Sequence, residues 1–419
     1  MSPELKVWRH KIFAATWLCY AAMYFCRKPF SIVKSDLGEA LEFDATALGL
    51  IGSVYLIAYA VGQFLAAGAG TRFGPRRVLL LGMAGTMVAN AGFGVSNSLQ
   101  TFCVLMALNG LFQATGWANT VGTMGAWFRR EERGTVMGFW ATCYQVGGVG
   151  ANTLAAYVLG AYGFRYSFFA GSAVMLVVLT INVFWHRNKP EDVGLSLGDD
   201  EEEEAEAATA GGGFLGAGWS PQVFHTVLLV GGFYFFVKFI RYALWSWVPF
   251  FLSRNYGLEG DDAGYISTLF DFFGIVGVIA AGHISDTWGR GRRAKTSMIF
   301  LLAMGASTLF LYSAGQVSVT FFAIAISAVG FSLYGPDALM TGAAAQDIGN
   351  KRGATLAAGV INGMGAVGAV VQEFVIGRMY DTSGGDLGPI LGLLIGASAG
   401  AIAFLAVVLV RNRLGLSDA

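Results

Sequence analysis

Four cations stand inside stretches otherwise apolar enough to cross a membrane. Arg27 and Lys28 close the run Ala21-Ala-Met-Tyr-Phe-Cys-Arg-Lys-Pro-Phe30, and Lys238 and Arg241 lie within Phe233-Tyr-Phe-Phe-Val-Lys-Phe-Ile-Arg-Tyr242. A charge at the middle of a bilayer span costs roughly 2.5–3.5 kcal/mol on insertion scales. Such residues either snorkel to an interface or pair with carboxylates for structural reasons, or they form a basic site for an anion. Their chemistry favours the anion. A guanidinium stays charged and presents a planar fork that matches phosphate oxygens two at a time. On a continuous helix Tyr24, Arg27 and Lys28 fall at i, i+3 and i+4 and share a face, as do Lys238 and Arg241 at i and i+3. Four cations together would attract a dianion.

The elements that must position them follow from composition. Of 419 residues 55% are hydrophobic and only 13% charged, with a mean hydropathy of +0.57. Soluble domains carry about 25% charged residues. Half that value, with apolar blocks of about 20 residues recurring along the chain, marks an all-α membrane protein of many spans. The 59 glycines suit close helix approach. Cys19, Cys26, Cys103 and Cys143 lie in apolar runs as small buried hydrophobes, and His10, His186, His225 and His283 are scattered. Neither set has metal-like spacing, so no metal and no cofactor is expected. No nucleophile–base arrangement or phosphate-binding glycine loop points to an enzyme, and nothing points to nucleic acid. The first apolar run lacks a cleavage site and reads as a retained span.

Twelve spans are expected, near 11–33, 47–67, 78–97, 101–126, 134–160, 164–186, 223–252, 263–285, 296–315, 318–345, 353–379 and 388–410. Lys and Arg crowd the tails and even-numbered connections, as in Arg72, Arg76 and Arg77, Arg129, Arg130 and Arg133, or Arg290, Arg292, Arg293 and Lys295. The odd connections hold only Lys34, Arg165, Arg254 and Arg378. Both termini are therefore expected in the cytoplasm. The one long connection carries Asp199-Asp-Glu-Glu-Glu-Glu204 and Gly211-Gly-Gly213, a solvated linker. The expected organisation is a six-helix bundle over 1–186, a linker over 187–222 and a second six-helix bundle over 223–419.

The halves repeat. Arg27 and Arg241 are 214 positions apart, Gly74 and Gly289 are 215 apart, and Arg133-Gly134 and Arg352-Gly353 are 219 apart. Parallel repeats of this kind are related by an axis along the membrane normal, with substrate held midway. The two arginines are expected to face one another across that axis.

The run Gly282-His-Ile-Ser-Asp286-Thr-Trp-Gly289-Arg290 resembles the G-x-x-x-D-x-x-G-R loop of the major facilitator superfamily, which implies a two-bundle, alternating-access fold. In that loop Asp286 and Arg290 would act as a charged latch between helix ends. The first-half counterpart is degenerate, with Ala67 and Thr71 at the Gly and Asp positions. A narrower resemblance covers nearly the whole chain. Tyr24-Phe-Cys-Arg27-Lys28-Pro-Phe, Gly116-Trp117, Glu132-Arg133-Gly134, Gly147-Gly148, Asn188-Lys-Pro-Glu-Asp-Val-Gly194, Arg241-Tyr242, Trp247-Val-Pro249 and Tyr334-Gly335-Pro336, in that order, resemble the organophosphate:phosphate antiporter family. The resemblance implies that Arg27 and Arg241 jointly hold phosphate, and that an organic phosphate ester is exchanged for inorganic phosphate. Lys28, Lys238, Tyr24, Tyr144, Trp117, Asn119 and Tyr334 are the further substrate-binding candidates, the last four serving either as cavity liners or as packing.

Three acids weigh against the cations. Asp271 is where family members commonly carry an acid, and it could pair with Lys28 or Arg241 in the empty site. Asp337 and Glu373 are further acids near membrane depth, and structural neutralisation remains an alternative role for all three. Two specificity marks of the family are absent: Tyr144 stands in place of a histidine, and Ala369 and Glu373 in place of an Asp–Lys pair. The organic moiety is therefore open. Two other functions stay in view, a membrane sensor of a phosphate ester and a proton-coupled symporter using Glu373 or Asp271. The expected partners are a small anion and the lipid bilayer, the expected state a monomer, and the expected location the plasma (bacterial inner) membrane.

Overall fold

A computed structural model describes residues 2–128, 136–137, 139–140, 142–196, 221–287, 293–340 and 350–414, and among these the ordered elements are all helical. The chain runs α1 (Pro3–Phe25), α2 (Pro29–Ile32), α3 (Lys34–Leu41), α4 (Ala45–Phe73), α5 (Pro75–Val95), α6 (Leu99–Gln113), α7 (Thr115–Trp127), α8 (Thr142–Tyr162) and α9 (Phe164–Trp185). After Pro190–Val193, a 3₁₀ turn, come α10 (Pro221–Tyr256), α11 (Gly260–Thr287), α12 (Arg293–Ser313), α13 (Val319–Ala338), α14 (Asn350–Thr382) and α15 (Gly388–Arg413). Among the described residues nine helices are long and apolar enough to cross a membrane. Three further places in the expected pattern are filled by α1, by α6 with α7, and by α8. That agrees with twelve spans. The expected linker lies outside the described residues from 197 to 220, as do Glu132, Arg133, Gly134 and Arg290.

Two expected spans are broken, each for a local reason. The first ends at Phe25, because Pro29 has no N–H to extend the ladder. Arg27 and Lys28 therefore sit in a turn just past α1, where both their amides donate to the Tyr24 carbonyl, at 3.0 and 2.9 Å. The fourth is divided at Ala114, where the Thr115 hydroxyl donates to the Phe112 carbonyl at 2.7 Å.

The chain divides into two compact units. The first comprises 1–43, 50–210 and 259–265. In it α1 packs on α8 and α9, and α9 on α5. Glycines set these distances. A Cβ on Gly147 of α8 would meet the Ala21 backbone at 2.8 Å, and one on Gly171 of α9 would meet the Phe25 carbonyl. The backbone of α1 is thus held close at the turn that carries Arg27. The second unit comprises 44–49, 211–258 and 266–419. Its long α10, 36 residues with Pro249 inside, packs on α14 and α15. Its segment 44–49 is held by Asp381, whose carboxylate accepts from the amides of Ala45 at 3.1 Å and Thr46 at 2.7 Å.

The segment Asn188–Gly194 is folded against the first unit. Asn188 Oδ1 accepts from the Arg76 amide at 2.8 Å, beside Gly74, whose φ of +84° favours glycine. Asp192 accepts from the Asn188 amide at 2.8 Å, and Trp127 Nε1 donates to the Arg187 carbonyl at 3.1 Å. Beneath it His186 is fully buried, with Nε2 3.2 Å from the Thr123 hydroxyl. Thr123 already donates to the Asn119 carbonyl at 2.9 Å, so it can only accept from His186. That assigns the Nε2–H tautomer and leaves Nδ1 bare and buried. Burial, and then the charges of Arg76 and Arg187, push the imidazole down to about 4. The unfolded chain takes up a proton first, near 6.5, so stability is full above that pH and falls as pH drops from 6.5 towards 4. Each pH unit in that window removes up to about 1.4 kcal/mol. His186→Gln should therefore unfold at a similar temperature to wild type at pH 8 but increasingly above it towards pH 4.5, in detergent melting scans. Parallel pH curves for the two proteins would contradict this assignment.

Candidate functional site

In the first unit, the turn after α1 exposes the Cys26 carbonyl, which has no place in the helix ladder. Asn109 and Gln113, one turn apart on α6, both donate to it, at 3.0 and 3.1 Å. Gln113 Nε2 also donates to Asn109 Oδ1 at 3.0 Å, which fixes the amide orientation. Gln113 Oε1 then faces inward, accepting from Arg27 Nε at 2.9 Å and the Tyr55 hydroxyl at 3.1 Å. The guanidinium lies over the rings of Tyr59 at 5.0 Å, Tyr24 at 5.1 Å and Tyr55 at 5.9 Å. Cation–π contacts stabilise the charge without neutralising it. Arg27 Nη2 is buried and has no hydrogen-bond partner. Arg27 therefore keeps its full charge and an unused donor.

Lys28, expected on the same helical face, is almost fully buried at the start of α2, where the Ser31 hydroxyl donates to its carbonyl at 2.9 Å. Trp117 and Tyr144 come together with Tyr20 and Trp140 in an aromatic cluster. Tyr20 lies 5.1 Å from Tyr144 and 5.8 Å from Trp117, and Trp117 lies 5.8 Å from Tyr144. Tyr20 also touches Tyr24, at 6.2 Å, which joins this cluster to Arg27. Trp117 is 40% exposed. Asn119 is placed elsewhere. It is buried, donates to the Thr115 carbonyl at 2.8 Å and faces Gly70 of α4.

In the second unit the cations are partnered differently. Arg241 of α10 makes an ion pair with Asp337 of α13, Nη1 to Oδ2 2.5 Å, and lies 4.5 Å over the Tyr334 ring. Tyr334 and Asp337 are i and i+3 on α13, which presents both to Arg241. The Tyr334 hydroxyl donates to Asp271 Oδ1 of α11 at 2.6 Å. From sequence, Asp271 is a candidate partner for Lys28 or Arg241. The structure gives that place to Asp337, because Tyr334 stands between Asp271 and the guanidinium as a hydrogen-bonded ring. Lys238 donates to Asn362 Oδ1 at 2.8 Å and lies 5.0 Å over Tyr234. Glu373 is buried on α14 and is not among the partners of Arg241. The side chain of Asp286 and all of Arg290 lie outside the described residues.

Sequence reasoning missed Gln113, Asn109, Tyr55, Tyr59, Tyr234 and Asn362. Asn109 and Gln113 at i and i+4 in an apolar helix, and Tyr55 and Tyr59 at the same spacing, were the available signals.

Comparison with known proteins bears on this arrangement. Residues 16–372 match the Major Facilitator Superfamily. Sugar phosphate exchanger 3 of Xenopus laevis is 30% identical, over 87% of this chain and 85% of that protein. A protein of Arabidopsis thaliana named as glycerol-3-phosphate transporter 1 is 31% identical, over 92% of this chain and 85% of that one. The chain belongs to the organophosphate:phosphate antiporter family of the Major Facilitator Superfamily. It is an integral multi-pass membrane protein and a transporter, not an enzyme. In fold it is similar to a bacterial homologue of the human lysosomal transporter Spinster solved in an inward-facing, unoccupied conformation. The TM-score is 0.73 at 17% identity, covering 98% of this chain and 96% of that one.

The Gln113 network makes a direct prediction. Gln113→Leu leaves Arg27 Nε without its acceptor, at about 1–3 kcal/mol for a buried group, while the Cys26 carbonyl keeps only Asn109. Detergent melting scans should show a clear fall in the unfolding temperature, and a wild-type melt would show that the network carries no stability.

Proposed function

We propose that this transporter exchanges an organic phosphate ester for inorganic phosphate, with Arg27 and Arg241 each contributing a guanidinium to the transported phosphate. The observation that carries the reading is Arg27 itself, a buried guanidinium whose described partners are a neutral amide and three aromatic rings, with Nη2 unpaired. A charge held that way lacks only an anion. The names of the relatives, sugar phosphate exchanger and glycerol-3-phosphate transporter, point to phosphate monoesters as the anion.

Roles for the surrounding residues follow. Tyr24 and Tyr55 steer the Arg27 fork, Lys28 and Lys238 add positive charge, and Trp117 with Tyr144 meets the organic moiety. Tyr334 stacks under Arg241, while Asp271 and Glu373 serve as charge-balancing acids, with Asp286 and Arg290 as a latch. The bundles run over 1–186 and 223–419, joined through 187–222. We further propose that the chain acts as a monomer in the plasma membrane, with both termini cytoplasmic as the Lys and Arg asymmetry requires.

Two arginines that bind one dianion also explain obligate exchange, because an empty site that keeps the uncompensated charge of Arg27 switches poorly. Labelled phosphate uptake into proteoliposomes should require unlabelled phosphate inside and be competed by phosphate esters. Arg27→Ala and Arg241→Ala should each lower it at least tenfold, since truncating one partner of a buried charge pair costs about 2–5 kcal/mol. Normal exchange by either variant would refute the assignment. Ester binding without uptake would support the sensor, and uptake driven by a proton gradient but indifferent to internal phosphate would support the symporter.

A further inference from the structure

The two arginines are not equivalent. Arg27 is met by neutral groups, whereas Arg241 already holds a carboxylate at 2.5 Å. Arg241 has 27% of its side chain exposed and Asp337 only 10%, so the acid is set behind the guanidinium and the guanidinium is the accessible partner. Asp337 is fixed in that place. It follows Pro336 inside α13, one helical turn after Tyr334, whose ring lies under the same guanidinium. Asp271, the other acid of this cluster, receives the Tyr334 hydroxyl and is not a partner of Arg241. The positive charge of Arg241 is thus compensated before any substrate arrives, by a group that a phosphate would replace oxygen for oxygen.

We propose that Asp337 is an exchangeable counter-ion of Arg241, a positioning residue that phosphate must displace to bind and that recaptures the guanidinium as phosphate leaves. The inference rests on Arg241 contacting the transported phosphate. Its consequence is specific in sign. A neighbouring carboxylate competes with the anion and repels it, so removing its charge tightens binding. A structural ion pair does the opposite, because its loss leaves a buried arginine badly placed and binding weakens. Release from this competition frees one charge-assisted hydrogen bond of the guanidinium for phosphate, which corresponds to roughly tenfold in affinity. Tighter holding with an unchanged approach rate means slower release.

The test measures inorganic phosphate binding by calorimetry on the purified full chain, together with phosphate self-exchange in proteoliposomes. Asp337→Asn should bind phosphate about tenfold more tightly than wild type and exchange it more slowly at saturation. Asp337→Glu, which keeps the charge, should stay near wild type. In the background of Arg241→Ala the Asn substitution should bring no gain, because there is no guanidinium to release. Asp337→Ser carries the same expectation and replaces the Asn variant if that protein is not monodisperse. Unchanged or weaker phosphate binding by a well-folded neutral variant would overturn the proposal, as would a gain that survives the loss of Arg241. Failure of the underlying reading looks different. Wild type would then bind no phosphate, or Arg241→Ala would bind it normally.

Discussion

The structure depends on keeping guanidinium groups charged within an apolar helical protein. Removing a charge from water costs several kcal/mol even after the protein relaxes, so each arginine has to be solvated by the protein itself. The two units do this in opposite ways. The first surrounds Arg27 with an amide oxygen and three aromatic faces, which leaves its charge in place. The second sets Asp337 against Arg241, which cancels it. A transporter needs both properties, since an anion must be attracted strongly enough to enter and weakly enough to leave.

Much of the first unit can be read as support for one turn of backbone. Pro29 ends α1, the Cys26 carbonyl loses its helical partner, and Asn109 with Gln113 supplies new ones. The same Gln113 then orients Arg27. Gly147 and Gly171 allow α8 and α9 to approach α1 at that level, so the turn is pinned by backbone contacts as well as by side chains. The break in the first span therefore places Arg27, and the helix packing holds the break.

The segment Asn188–Gly194 had no assigned chemistry, and its role is structural. Asn188 and Asp192 tie the exit of α9 to the start of α5, and His186 fills the space beneath as a neutral ring. Such a cap costs little sequence, yet it closes the end of the unit before the acidic connection begins.

The sequence alone determined the class, because hydropathy is a property of composition and spans are local. Twelve apolar blocks, Lys and Arg crowding alternate connections, and paired cations 214 positions apart were all legible without coordinates. So was the family, since its motifs are short runs in a fixed order. Partner choice was not legible. Nothing local says that Arg241 pairs with Asp337, 96 positions away, while Asp271 takes a tyrosine hydroxyl, or that Gln113 rather than an acid meets Arg27. Nor could a helical wheel show that Pro29 ends α1 just before Arg27 and Lys28, or that Asn119 donates to the Thr115 carbonyl and faces Gly70. Those outcomes depend on which helices come within hydrogen-bond reach and on small residues that set their separation. Only the tertiary structure decides them, because Coulombic and hydrogen-bond energies are fixed by distance and sequence spacing carries none of it between helices.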